Sequence, residues 1–249
     1  MKFTKHDTVR WHDTDCNRCV RPTKILTYMQ ETAGEHLKTL LMSMDEMRDR
    51  LGLAFLLSNI SISMYEPLYA DDEIDIQTWV CDSKGLSYNR CFSIFKEGRV
   101  VAEASSVWGL LDLNAHRLLR AEESPFEAEA EPSVMLKLPR RLRVPKLEEM
   151  ELVGTRPIVY SDIDYNGHMN NTHYPDLFCD FTPDICKSSV RGMMLSFVHE
   201  GKYGHVLKVY RAKTEGGYLF RTVDEDGVTC TEALVMTDVN GEEHATKDA

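Results

Sequence analysis

Residues 164–171 read Asp164-Tyr165-Asn166-Gly167-His168-Met169-Asn170-Asn171, which sets one acid, one imidazole and three amides within eight positions. Histidine titrates nearest neutrality of the side chains, so it can hold or release a proton under ordinary conditions. A carboxylate can take a proton from water or attack a carbonyl itself. Amides orient a water or a carbonyl oxygen. Asx-rich loops also make turns and helix N-caps, but a cap needs one Asx residue where this segment offers four. A helix N-terminus presents free N–H groups to negative charge, so a carbonyl placed at that tip could develop its oxyanion against them.

The segment has a counterpart 149 residues earlier, the step from Asp162 back to Asp13. At that offset Asp13, Asp15, Asn17 and Thr23 fall on Asp162, Asp164, Asn166 and Thr172. The copies then diverge. Cys19 stands for His168, Arg18 for Gly167, and Arg21 and Pro22 for Asn170 and Asn171. The first copy lacks the imidazole and carries a bulky residue in the turn. Chemistry is therefore expected in the second copy, with the first mainly shaping a pocket.

Elements of one kind position both copies. Each loop follows a short β-type run (Asp7–Trp11 and Arg156–Tyr160) and precedes a helical segment. In the first half Pro22 suits a first helical turn, and Ile25, Met29, Ala33, His36, Leu37, Leu40 and Leu41 follow at helical spacing. The second helix, after Asn171, is expected to be shorter and to end before Thr182-Pro183. The polar segment Asp45–Leu53 makes the first half longer. Tyr65-Glu66 and His199-Glu200 take matching places further on. Alternation at Ile74, Ile76, Thr78 and Val80 marks a strand, and β-rich runs recur at Val206–Arg211, Tyr218–Val223 and Thr229–Met236. The order predicts an α+β chain built as a tandem (double) hotdog. Each half is a helix wrapped by an antiparallel sheet, and the two sheets pair edge to edge. The divisions expected are residues 1–120, a linker over 121–155 and residues 156–249. The linker opens acidic (Glu122, Glu123, Glu127, Glu129, Glu131) and turns basic (Lys137, Arg140, Arg141, Arg143, Lys146).

Composition narrows the function. A net charge of -11 argues against nucleic acid and against an anionic membrane surface. No run approaches the roughly 20 apolar residues a spanning helix needs, and the first residues show no secretory h-region. A cytoplasmic protein is expected, with its seven cysteines reduced. Cys16-x-x-Cys19 lacks the context of a redox motif, and His168, His173, His199 and His205 lack metal-site spacing, so no metal and no cofactor are expected. A G-x-S-x-G elbow, a P-loop and a dinucleotide fingerprint are all missing.

Three stretches resemble the acyl-ACP thioesterases of plants and bacteria. They are Leu26-Thr-Tyr-Met-Gln30-Glu31-Thr32-Ala33, Ala104-Ser-Ser-Val-Trp108 with Arg117-Leu118, and Ser161 through Tyr174, which matches Asp-x-Asn-x-His-x-Asn-Asn-x-x-Tyr. The likeness runs from about Val9 to Val239. It implies hydrolysis of fatty acyl-ACP to free fatty acid and acyl carrier protein, ending or diverting fatty acid synthesis. Its catalytic set falls on Asp164, Asn166 and His168 with an acid downstream at Glu200, while Asn170, Asn171 and Tyr174 are expected to meet substrate. Plant members carry a cysteine after that acid where this chain has Gly201, which favours a carboxylate route and leaves the roles of Asp164 and Glu200 undivided. The missing plastid extension points to a bacterial source. Acyl carrier protein is acidic, and the strip Lys137–Lys146 or Arg10, Arg18 and Arg21 would receive it. The same fold could instead take acyl-CoA, hydrate an enoyl thioester, or bind acyl thioesters without turnover. A double hotdog can stand as a monomer or pair as a homodimer.

Overall fold

The computed structural model describes residues 1–126 and 128–238; Glu127 of the acidic run and the last eleven positions of the second repeat lie outside them. Strand β1 (Phe3–Thr8) leads into a 3-10 turn at Trp11–Asp13 and then helix α1 (Pro22–Leu40). Pro22 opens the helix, where its missing N–H costs nothing. Ile25, Leu26, Met29, His36 and Leu37 form its buried face, the 3–4 spacing that lays a helix on a sheet. A short helix α2 (Met44–Glu46) and a π-type turn (Met47–Leu51) follow, then β2 (Leu53–Met64), β3 (Glu73–Val80), β4 (Tyr88–Lys96), β5 (Arg99–Asp112) and the short β6 (Arg117–Leu119).

The second half repeats the order. Strand β7 (Glu151–Pro157) precedes a 3-10 turn at Tyr160–Asp162, a second at Asn171–His173, and helix α3 (Tyr174–Asp180). Strands β8 (Val190–Phe197), β9 (Val206–Thr214), β10 (Gly217–Val223) and β11 (Thr229–Thr237) complete it. β7 starts inside the stretch read as linker, and both first strands start before the β-type runs at Asp7–Trp11 and Arg156–Tyr160, overlapping them only at Asp7–Thr8 and Arg156–Pro157. The runs end at Trp11 and Tyr160, which open the 3-10 turns that bury Asp13 and Asp162.

All eleven strands belong to one sheet, in the order β1-β3-β4-β5-β2-β8-β11-β10-β9-β7, with β6 on β5. Each half mirrors the other about the central antiparallel β2–β8 pair, which runs from Asn59 opposite Ser196 to Ser63 opposite Gly192. This pairing hides one edge of each half-sheet, as an exposed edge would otherwise invite another chain. One apolar core then runs through both halves, from Leu26, Met29 and Phe92 to Phe178, Phe220 and Val235. α3 is short because Thr182-Pro183 follows it, and α1 and α3 meet through Thr23 Oγ1, which accepts from the Asp176 N–H at 3.1 Å. The linker is tied to the outer sheet face, where Trp79 Nε1 donates to the Pro132 carbonyl at 2.9 Å.

Candidate active site

Two buried carboxylates anchor the two polar loops. Asp162 takes a bidentate pair from Arg156, at 2.6 and 2.9 Å, and the Val159 N–H at 2.8 Å. Burial pushes its carboxyl up, but these donors and His173 outweigh it and hold the group below the ordinary carboxylate value. Asp13 does the same in the first half, where burial is outweighed by Tyr28 and Lys24. From these anchors the chain turns back through residues 164–169, and Ile163 bridges to Met169.

Within that turn Asp164 shapes the backbone. Its Oδ1 accepts the Asn166 N–H at 2.8 Å and the His168 N–H at 3.5 Å, while Oδ2 lies 3.4 Å from Asn166 Nδ2. Asp15 holds Asn17 and Cys19 in the same manner, at 2.8 and 3.2 Å. Gly167 sits at φ 84°, in the left-handed region open to glycine, and its counterpart Arg18 is held at φ 64°. The two loops therefore share one backbone shape, at a cost of about 1 kcal/mol or more of strain for the arginine.

The halves part at the next residue. His168 Nε2 lies 3.0 Å from Glu200 Oε2, with both side chains partly open to solvent. Backbone pairing sets this contact, since Met169 donates to the Gly201 carbonyl at 2.8 Å and His168 bridges to Lys202. In the first half Val20 donates to Leu68 and Cys19 bridges to Tyr69. Glu200 therefore corresponds to Pro67. The alignment of His199-Glu200 with Tyr65-Glu66 is corrected by one residue: Glu66 and His199 are the partners, each donating to a carbonyl across the sheet (Val101 and Cys230). The first copy thus lacks the imidazole and the acid together. Burial, then Asp15, pushes the Cys19 thiol above its ordinary value, and this keeps it protonated.

The remaining expected residues follow the loop in sequence. Asn170 Oδ1 accepts from the N–H and hydroxyl of Thr172, both at 2.9 Å. The tip of the short second helix is thus capped internally, and the N–H of Thr172 is not free for an oxyanion. Tyr174 is buried against Phe178 and Phe197, and Asn171 opens the 3-10 turn before it. At Gly201 an added Cβ would lie 2.8 Å from the Tyr174 hydroxyl and 2.8 Å from Ile158 Cδ1. A cysteine there would require the Ile158 and Tyr174 side chains to shift. His173 is occupied with Asp162 at 3.3 Å, and among the described residues no group of three or more acid, histidine or cysteine side chains could hold a metal ion. One residue the sequence pattern did not single out also reaches the loop: Arg48 Nη2 donates to Asn166 Oδ1 at 2.5 Å. The Ser43-x-x-Glu46 cap and Gly52 mark a short helix in that segment, but nothing in the spacing says where it points.

Among the described residues a cleft of about 220 Å³ lies between β1 and α1, and one of about 40 Å³ lies beside Asp15, Asn17 and Cys19. Neither is lined by Asp164, His168 or Glu200. Met29, Met169 and Met193 are among the buried residues of the core.

Comparison with known proteins matches the sequence to two family models: the acyl-ACP thioesterase N-terminal domain over residues 1–127 and the C-terminal domain over residues 148–248. The chain belongs to the acyl-ACP thioesterase family. Among curated members, an acyl-[acyl-carrier-protein] hydrolase of Cuphea viscosissima is 24% identical over 198 residues, 74% of this chain and 48% of that one. A palmitoyl-acyl carrier protein thioesterase of Cuphea hookeriana is 26% identical over 200 residues, 74% of this chain and 47% of its own. The chain spans about half the length of these curated relatives. Its fold is shared with an acyl-ACP thioesterase from Bacteroides thetaiotaomicron (TM-score 0.84, 22% identity, 95% of this chain and 98% of that one). A 12:0-ACP thioesterase from Umbellularia californica superposes with a TM-score of 0.77 at 16% identity, covering 95% and 97% of the two chains. Among the described residues no helix is long and apolar enough to cross a membrane.

Proposed function

We propose that this chain hydrolyses fatty acyl-ACP to free fatty acid and acyl carrier protein, on a double-hotdog scaffold with one active half. The observation that carries this reading is the His168–Glu200 pair at 3.0 Å, present in the second repeat and replaced by Cys19 and Pro67 in the first. A thioester is already an activated acyl group, so water needs only a positioned base. Glu200, held by the imidazole, takes a proton from water as its oxygen bonds to the thioester carbon. The carbonyl electrons move onto oxygen, where the Asn166 amide donates to them. As they return, the C–S bond breaks, and the carrier's thiolate takes the proton back from Glu200 through His168. Asp164 shapes the loop that carries Asn166 and His168, which divides its role from that of Glu200. The residue after Glu200 is Gly201, which offers no thiol, and this supports the carboxylate route.

The acyl chain belongs in the core between the halves, where the flexible Met29, Met169 and Met193 can change rotamer to admit it. For the acidic carrier, the exposed Lys137, Arg140, Arg141, Arg143 and Lys146 offer a basic strip, and among the described residues none of the five is paired with an acid. The strip is seated by Leu138 over Gly192. The test is thiol release from one acyl chain presented on acyl carrier protein and on CoA. Faster turnover on the carrier protein, abolished in His168→Ala, is expected. A strong CoA preference would overturn the carrier, and release from neither would overturn hydrolysis.

A further inference from the structure

The two repeats use opposite ends of the same asparagine. In the first loop Asn17 Nδ2 donates to the carbonyls of Ile185 and Ser188, both at 3.2 Å. Its two N–H groups are spent on the segment that follows α3. In the second loop the corresponding segment, after α1, approaches Asn166 from the first half. Here it presents a side chain instead of carbonyls: Arg48 donates to Asn166 Oδ1 at 2.5 Å. A guanidinium has five donors and no acceptor, so only the amide oxygen can face it. The Nδ2 end is thereby turned away from Arg48, to 3.4 Å from Asp164 Oδ2.

The contact is built to hold. Met47, next to Arg48, is buried with Leu53, Leu110 and Leu119. Ser43 and Glu46 cap the turn reciprocally, at 3.2 and 3.1 Å, and Arg50 pairs with Glu46 at 3.3 Å. Gly52 closes it in the left-handed conformation, donating to the Arg48 carbonyl at 3.0 Å. The guanidinium also lies over the Tyr165 ring, 5.6 Å from its centroid, a cation–π geometry. Two contacts from one side chain thus span two successive residues of the loop, and they come from the other repeat.

We propose that Arg48 is the positioning residue that makes Asn166 an N–H donor toward the thioester oxygen. A cationic donor on Oδ1 draws electron density from the amide and strengthens its N–H groups as donors. The inference rests on the proposed hydrolysis and adds a requirement to it: the active half borrows a cation from the inactive one. It also accounts for the segment Asp45–Leu53, which has no long counterpart in the second half, since only one of the two loops needs its amide turned.

The test compares Arg48→Ala, Arg48→Lys, Asn166→Ala and the double variant by kcat and KM on an acyl-ACP that the wild type hydrolyses. Loss of one preorganised oxyanion donor typically costs about 10²–10³-fold in kcat. Arg48→Ala is expected to lower kcat by roughly 10–10²-fold with KM near that of the wild type. Lysine should restore part of the loss, and the double variant should be no slower than Asn166→Ala. Unchanged kcat in Arg48→Ala, or losses that multiply in the double variant, would overturn the proposal. A readout independent of turnover is the side-chain amide resonance pair of Asn166, assigned by its loss in Asn166→Ala. That pair should shift in Arg48→Ala while the melting temperature holds. Unmoved resonances would overturn the positioning, whereas a wild type that releases no thiol would defeat the hydrolytic reading alone.

Discussion

Glu200→Gln separates catalysis from folding at this site. The substitution keeps the size of the side chain and leaves an amide 3.0 Å from His168 Nε2, where a carboxylate oxygen now lies. Both partners are partly exposed, at 34% for His168 and 55% for Glu200. A pair so open to solvent contributes only about 0–1 kcal/mol to stability. The melting temperature should therefore move little. On the proposed mechanism catalysis loses its base, and general-base contributions run to about 10²–10⁴-fold, which is about 3–5 kcal/mol in the barrier. Thiol release from acyl-ACP under saturating substrate, with thermal unfolding measured on the same preparation, reads both quantities. Asp164→Ala is the contrast. It removes the acceptor that orders Asn166 and His168, so it should lower turnover and destabilise the loop together. Near wild-type turnover in Glu200→Gln would refute the assignment of the base. So would equal thermal losses in the two variants, because the division of roles rests on Asp164 alone being tied to backbone.

Gly201→Cys should not create a more reactive enzyme: with Tyr174 and Ile158 within 2.8 Å of the new Cβ, overpacking should cost about 1–3 kcal/mol and lower turnover, visible by calorimetry and thiol release. Cys19→Ala should leave turnover within about twofold of wild type by the same assay, its thiol being held protonated by burial. Asp162→Asn leaves Arg156 without its carboxylate and should cost about 3 kcal/mol in denaturant unfolding. Because the Asp162 pKa is lowered in the fold, that contribution is present above the ordinary carboxylate pKa and is lost as pH falls below it. His36 is buried in α1, and burial, then Arg90, lowers its pKa from 6.5 to about 4. Its neutral form is the folded one, so stability should fall by up to about 3 kcal/mol as pH drops from 6.5 toward 4. His36→Gln, which keeps an acceptor for Arg90, should flatten that part of the wild-type profile in a pH series of unfolding curves.

Much of this molecule was legible in its residues. The 149-residue offset, the Pro22 start of α1, the Thr182-Pro183 stop and the period-two strands are local signals, each dictated by backbone sterics or by which face must be buried. They specified two copies of one unit and placed the polar loop at a strand-to-helix junction. Cys19 for His168 was enough to tell the two copies apart. Tertiary structure decided what lies opposite what. The β2–β8 pair merged the half-sheets. The one-residue register between His168 and Lys202 set Glu200 against the imidazole and Pro67 in its place in the other half. Whether Gly201 leaves room for a side chain depends on Ile158 and Tyr174, which are distant in sequence. The reach of Arg48 to Asn166 spans 118 positions. Such contacts have no period and no spacing, because they arise where separately determined elements happen to meet across the core.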